Sequence, residues 1–342
     1  MIELTKDCLR DKVIKCYDTY INISNSHTLA IGIYYKGNCY FFGNGINKSY
    51  RYDIGSITKT MTAHLILYLS NKGLIDINKT IDQYLTLKKG KYPTIYELLT
   101  HTAGYNHLTP IQITLPHFLR NGKTKKNLYE GCNEEDIIKC LEKNNKHKEG
   151  KGYCYSDFSY AILSLVARTV TKTDYYLLFQ DFINNVLHLK DTSLFLNEYD
   201  RRPLAIHNKK ILDYCNWNKN NPYIASGGLI SNISDMVKYI SLEIEGDDSY
   251  IKDAHIVCPK SFNKKNTIGT CLGWHTYKNS NQLWHVGSIG TFRSSIIINK
   301  KNEYGVVVLG NANGKKAANV HYLAKMLYCE LKLKKIKLKE FI

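Results

Sequence analysis

Strand-like runs sit at the two ends of this 342-residue chain, and helical runs fill its middle. Near the start, Thr28 to Tyr35 and Cys39 to Phe42 are rich in β-branched and aromatic residues and are separated by Lys36-Gly37-Asn38, a strand, a turn and a strand. Toward the end, after Gly273-Trp274-His275, three β-rich runs are implied at Leu283 to Val286, Phe292 to Ile298 and Gly305 to Leu309, followed by a helix from about Lys316 to Leu331. Between them, helical patterns cover Ile95 to Thr100, Glu134 to Lys143, Ser159 to Thr171 and Tyr175 to Leu187. Two more helices are expected near the N-terminus, over roughly residues 5 to 22 and over Ile57 to Asn71. The second carries apolar Met61, Leu65, Ile66 and Leu69 and is closed by Gly73. Distant strands can share one sheet only if what lies between them is an insertion. The pattern therefore predicts an α+β fold, an antiparallel sheet flanked by helices with an inserted helical lobe. Residues 1–75 and 265–342 would form the α/β lobe and residues 76–264 the mostly helical one, with an active site between them.

The charge balance excludes some functions. The net charge is +17, but it comes from 40 Lys and only 7 Arg. Arg reads phosphates and base edges through a planar fork, whereas dispersed Lys mainly supplies solvated charge, so no nucleic-acid partner is expected. Lys332, Lys334, Lys335, Lys337 and Lys339 at the C-terminus read as a solvated helix end whose cations complement the dipole. No apolar run reaches the length of about eighteen residues needed for a membrane span. Met1 to Ile23 carries Lys6, Asp7, Arg10, Asp11, Lys12, Lys15 and Asp18, which leaves no apolar core for an export signal, and a cytoplasmic location is expected. The ten cysteines form no Cys-x-x-Cys pair and no Cys/His cluster at zinc spacing. They are expected to stay reduced and buried, and neither metal nor organic cofactor is expected.

Three short motifs carry possible chemistry. Ser56-Ile57-Thr58-Lys59 is a Ser-x-x-Lys at the start of an apolar helix. There the serine hydroxyl lies near unsatisfied backbone N–H groups and the positive end of the helix dipole, which favour an oxygen gaining negative charge. Lys59 lies one turn on, on the same face, where burial lowers its proton affinity enough to make it a base. Two other Ser-x-x-Lys pairs, Ser249 to Lys252 and Ser261 to Lys264, fall in polar, loop-like stretches. Tyr155-Ser156-Asp157 follows Gly150-Lys151-Gly152 and precedes a helix. Tyr155 can shuttle a proton there, and Asp157 either pairs with Lys59 or caps the helix. His285-Val286-Gly287-Ser288 stands at a strand end, where glycine lets a ligand approach the backbone and the Ser288 N–H can complete an oxyanion hole.

In this order the three motifs resemble the active site of the class C β-lactamase-like serine hydrolases, a group within the serine β-lactamase and penicillin-binding protein superfamily. The resemblance covers roughly residues 25 to 330. It extends to Glu97-Leu98-Leu99-Thr100-His101-Thr102-Ala103-Gly104, to Ala225-Ser226-Gly227-Gly228-Leu229 with Ser234-Asp235, and to Gly273-Trp274. It implies a β-lactamase/transpeptidase-like fold and an acyl-enzyme on Ser56. Lys59 and Tyr155 would share the base and acid work, the N–H groups of Ser56 and Ser288 would form the oxyanion hole, and Asp157, His285 and Gly287 would line the substrate site. His101 would be structural. The sequence departs from the family at Asp157, where Asn is usual, at Val186-Leu187-His188-Leu189, and at His285, which replaces a lysine that helps to bind a substrate carboxylate. The implied function is a serine hydrolase of esterase or peptidase type acting on a small-molecule or peptide amide, lactam or ester. A true β-lactamase or D,D-carboxypeptidase and a non-hydrolysing acyl-binding sensor are the alternatives.

Overall fold

The computed structural model describes residues 1–23, 26–44, 48–106, 127, 129–147, 152–207, 210–263, 265, 267–313, 320–336 and 338. Extended segments run, in chain order, β1 (Ile2–Glu3), β2 (Leu29–Tyr35), β3 (Asn38–Gly43), β4 (Tyr52–Asp53), β5 (Ala205–His207), β6 (Lys210–Leu212), β7 (Ile230–Ser231), β8 (Ile268–Thr270), β9 (His275–Tyr277), β10 (Gln282–Ile289), β11 (Phe292–Asn299), β12 (Tyr304–Gly310) and β13 (Ala312–Asn313). The helices are α1 (Asp11–Ile21), α2 (Thr58–Asn71), α3 (Ile95–Leu99), α4 (Glu134–Lys143), α5 (Asp157–Thr171), α6 (Tyr175–Asp181), α7 (Ile224–Gly227), α8 (Ile233–Glu245), α9 (Ser249–Ala254) and α10 (Val320–Lys332).

The chain ends do share one sheet. Its order is β1-β3-β2-β12-β11-β10-β9-β8, antiparallel throughout except between β1 and β3. The junction between the two ends is the β2–β12 pair, with Ile31 opposite Val308 and Ile33 opposite Val306. Alternation along these strands assigns the faces. Ile31, Ile33, Ile297, Val306 and Val308 pack under α1 and α10, while Ala30, Ile296, Ile298, Val307 and Leu309 face the rest of the helices. A sheet buried on both faces explains why these strands read as continuous apolar runs. Helix α8 crosses the second face although it lies within residues 76–264. Two glycines admit it: a Cβ on Gly32 would lie 2.2 Å from Val237 Cγ2, and one on Gly305 2.5 Å from Ile240 Cγ2.

Several boundaries differ from expectation. The first helix starts at Asp11, after a separate 3₁₀ turn at Lys6–Cys8. Leu9 turns inward between them and is buried with Val13 and Tyr17. After α6 the chain widens into a π turn at Phe182–Val186. Strand β10 runs to Ile289, three residues beyond the expected Val286, because its pairing with β11 continues to Ile289–Phe292 and closes through Gly290 at φ +51°. The expected start of the last helix, at Lys316, lies outside the described residues, as do Lys264, Lys337, Lys339 and the Gly150-Lys151 pair. No disulfide joins the cysteines, and only Cys132, Cys140, Cys215, Cys258 and Cys271 are buried; Cys329 is exposed. Among the described residues, no helix is long and apolar enough to cross a membrane.

Helix α2 is buried all round rather than on one stripe, because α5, α7 and α9 pack about it. Its polar side chains are therefore bonded internally. Thr60 Oγ1 donates to the Ile57 carbonyl and Thr62 Oγ1 to the Ala225 carbonyl, each at 2.8 Å. His64 lies 3.3 Å from the buried Glu243, whose other oxygen lies 2.7 Å from His255.

Candidate active site

The turn that carries Ser56 is built by close backbone contacts. Strand β4 pairs with β7, and the chain then passes through Gly55 at φ +49° into a 3₁₀ turn, Gly55–Ile57, that leads directly into α2. Ile54 N–H donates to the Leu229 carbonyl at 3.0 Å, and Ser294 Oγ from β11 donates to the Ile54 carbonyl at 2.7 Å. Two glycines let strand β10 approach this turn. A Cβ on Gly55 would lie 2.7 Å from the Ser288 amide nitrogen, and one on Gly287 would lie 1.9 Å from the Ile54 carbonyl oxygen. The Ser288 N–H is thus held beside the residue preceding Ser56. The Ser56 N–H belongs to the first turn of a helix, where N–H groups have no intrahelical acceptor.

Lys59, in the first turn of α2 and three residues after Ser56, is fully buried. Its Nζ lies 3.0 Å from Ser56 Oγ, 2.7 Å from the Ser226 carbonyl oxygen and 2.6 Å from Asp157 Oδ1. Burial pushes the proton affinity of this amine down, the Asp157 carboxylate pulls it back up, and the net shift is downward. Gly273, at φ +90°, lets the chain before β9 lie against α2 at this level, since a Cβ there would lie 2.6 Å from Ala63 Cβ.

Tyr155 and Asp157 arrive from the loop before α5. Ser156 is the cap of that helix, accepting from Ser159 N–H at 3.1 Å, so the helix begins two residues earlier than expected. Capping by Ser156 leaves the Asp157 carboxylate free to reach Lys59, and the ion pair is the arrangement the fold adopts. The Tyr155 hydroxyl is hydrogen-bonded to Ser56. Burial, and then the Asp157 charge, hold the Tyr155 phenol well above its ordinary range, so it stays protonated at neutral pH. His101 shapes this loop: its Nδ1 accepts from Ser156 N–H at 3.1 Å and its ring lies 4.5 Å from that of Tyr155.

The opposite wall is β10. His285 is buried, with Nδ1 2.9 Å from the Val286 carbonyl oxygen. Nδ1 therefore carries the ring proton and Nε2 is left as an acceptor, with no hydrogen-bond partner among the described residues. Burial, then His275 and Lys59, push its proton affinity well down, so His285 is neutral and is no substitute for a cationic lysine. Its neighbour His275, 4.8 Å away between ring centres, is pushed down to about 3 by burial and then by Lys59 and His321. Beyond Trp284, β10 has no strand on its outer side among the described residues, because β9 pairs only with Leu283 and Trp284.

A cavity of about 580 Å³ opens over this cluster, with Ser56, Tyr155, Asp157, His285 and Ser288 in its walls and Tyr153, Trp284, Ile268 and Ile289 adding apolar surface. The seven sequence-derived candidates thus converge, with Gly287 acting from beneath as the point where β10 meets the Ser56 turn. The other two Ser-x-x-Lys serines lie elsewhere, and not in loops as expected: Ser249 opens α9, whose Tyr250, Ile251 and Ala254 are buried, and accepts from Asn71, while Ser261 ends a 3₁₀ turn and is bonded to backbone of Cys258 and Thr270. Tyr129 was not expected here. Its hydroxyl donates to Asp157 Oδ2 at 2.5 Å, and no local signal marks it, since it stands 28 residues before its partner. Among the described residues no group of three or more His, Cys, Asp or Glu could hold a metal ion.

Residues 18–329 match the Beta-lactamase family. The protein flp of Staphylococcus aureus (strain MW2) is 25% identical over 281 residues, which is 77% of this chain and 53% of that protein. The chain thus spans about half the length of this relative. Among solved structures, the octameric penicillin-binding protein homologue from Pyrococcus abyssi superposes with a TM-score of 0.77 at 22% identity, covering 95% of this chain and 77% of that one. A β-lactamase/D-alanine carboxypeptidase from Yersinia pestis, solved with citrate, gives 0.76 at 17% identity, covering 96% and 100%. At these identities the two structures speak for the fold.

Proposed function

Since this chain belongs to the Beta-lactamase family, we propose that it is a serine hydrolase in which Ser56 attacks a carbonyl carbon to give an acyl-enzyme that water then resolves. The observation that carries this reading is the buried Lys59 Nζ 3.0 Å from Ser56 Oγ, at the N-terminus of α2. In its neutral form Lys59 accepts the Ser56 proton as the oxygen attacks. The tetrahedral oxygen is held by the Ser56 and Ser288 N–H groups. Tyr155, which stays a phenol, donates its proton to the leaving group and is reprotonated by the Lys59 ammonium, which holds the proton taken from Ser56. For deacylation, water enters where the leaving group stood, its proton passes by way of Tyr155 to Lys59 as it attacks, and Lys59 returns a proton to the departing Ser56 oxygen.

The substrate is an ester or an uncharged amide. Lys59 is tied to Asp157, His275 and His285 are neutral, and no free cation stands among the described lining residues, so nothing there favours a substrate held by its carboxylate. A β-lactamase or D-alanine carboxypeptidase activity is the second reading, favoured by the name of the Yersinia pestis neighbour.

Intact-mass spectra after exposure to short-chain nitrophenyl esters and to a panel of β-lactams test both. Ester acylation of wild type, absent in Ser56→Ala, is expected. The Ser56→Ala variant should fold, since this hydroxyl caps no helix and a lost side-chain hydrogen bond costs only about 1 kcal/mol. An acyl mass that persists in Ser56→Ala refutes the nucleophile, exclusive acylation by β-lactams favours the second reading, and a burst without steady turnover makes the protein an acyl-binding sensor.

A further inference from the structure

Both oxygens of Asp157 are committed, one to Lys59 Nζ at 2.6 Å and the other to the Tyr129 hydroxyl at 2.5 Å. Tyr129 is fixed from several sides. Its ring stacks on Tyr223 with centres 4.2 Å apart and planes 7° from parallel, and Trp217 lies near-parallel at 6.4 Å. Its N–H donates to Asn127 Oδ1 at 3.1 Å, and its carbonyl accepts from Asn221 Nδ2 at 2.6 Å. The hydroxyl is therefore pre-aimed at the carboxylate.

We propose that Tyr129 is a positioning residue for the Ser56–Lys59 pair: through its hydrogen bond to Asp157 it sets how firmly that carboxylate holds the Lys59 proton, and so the pH at which the base becomes free. This rests on the acyl-enzyme reading above. The phenol O–H dipole directs its positive end at the carboxylate and offsets part of the carboxylate's field at Lys59. Without it, Asp157 grips the ammonium more tightly. The other titratable groups facing Lys59 leave this pair in control. From α5 and its preceding loop come Tyr155 and Tyr160, with rings 5.0 and 5.6 Å from Nζ, and both stay protonated. From β9 and β10 come His275 and His285, both neutral. Ser56 and the Ser226 carbonyl complete the shell and carry no charge.

The test is single-turnover acylation by p-nitrophenyl acetate across pH for wild type, Tyr129→Phe, Asp157→Asn and the double variant, with melting curves for each. Tyr129→Phe keeps the stacked ring. Its acidic limb should move to higher pH, that of Asp157→Asn to lower pH, and the double variant should coincide with Asp157→Asn because Tyr129 acts only through Asp157. A residue that merely fills space would lower stability or rate and leave the limb in place. A second readout is independent of acylation: the ¹³Cε resonance of Lys59 in lysine-labelled protein, assigned by its loss in Lys59→Met, should titrate in the same directions. An unmoved Lys59 titration in Tyr129→Phe overturns the inference, as does a Tyr129→Phe displacement that persists in the Asp157→Asn background. If Lys59 titrates as stated but no acyl group reaches Ser56, the proposed function fails and the role of Tyr129 stands.

Discussion

Substituting Gly287 by alanine adds one methyl group at the contact that joins β10 to the nucleophile turn. That Cβ would lie 1.9 Å from the Ile54 carbonyl oxygen and 2.2 Å from Ser294 Oγ. Ordinary non-bonded contact begins near 3.5 Å, so the two segments must part by roughly 1.5 Å. Neither side yields cheaply. The Ile54 carbonyl is backbone bonded by Ser294, and Gly287 lies inside a strand paired along its length with β11. The separation moves the Ser288 N–H away from Ser56, and losing one oxyanion donor costs about 10²–10³ in rate. The overpacking itself costs about 1–3 kcal/mol of stability, which a fold of this size survives. Stopped-flow acylation by a nitrophenyl ester, with melting temperature as the control for folding, should therefore show a loss of about two to three orders of magnitude in a folded protein. Gly227→Ala is the matched control, because its nearest contact on Gly55 is an ordinary 3.7 Å, and its rate should stay close to wild type. Acylation by Gly287→Ala within about threefold of wild type, against the 10²-fold expected of an atom displaced by 1 Å, would refute the oxyanion geometry assigned to β10.

Two other outcomes are expected. Tyr155→Phe should slow acylation and deacylation by about 10²–10⁴ with little change in substrate binding, the range for a lost general acid, and pre-steady-state rates measured on one ester decide it; unchanged turnover would confine Tyr155 to shaping the loop. His275 is held neutral to about pH 3 in the folded protein, whereas the unfolded chain takes up this proton near 6.5. The stability His275 contributes is therefore fully present above pH 6.5 and drains away as pH falls toward 3, by an amount on the order of a few kcal/mol. His275→Phe, which keeps a ring against Trp284 at this site, should flatten the melting temperature between pH 6.5 and 4; an unchanged slope would mean that His275 already binds its proton in the folded state.

The sequence by itself determined the chemistry of the pieces. Ser56 and Lys59 are one helical turn apart, so any helix starting at this serine brings amine and hydroxyl together, and the apolar residues around them announce a buried helix. The paired strands at the two ends were legible for the same local reason: alternation and β-branched composition fix strand identity, and two distant sets of strands must meet to bury their faces. Only the tertiary structure decided which residues confront one another across the cavity. Asp157 read either as a helix cap or as a partner of Lys59; the choice fell to Ser156 capping α5, which a sequence with two adjacent capping residues cannot declare. Histidine at 285 read as a polar site residue, and its neutrality follows from burial beside His275 on the neighbouring strand and Lys59, which is distant in sequence. Tyr129 left no trace, because its role rests on one hydroxyl reaching Asp157 from a separate loop held by Tyr223, Asn127 and Asn221. Periodicity reports on neighbours along the chain, whereas the proton affinity of a buried amine is set by whatever charge packing brings within a few ångströms.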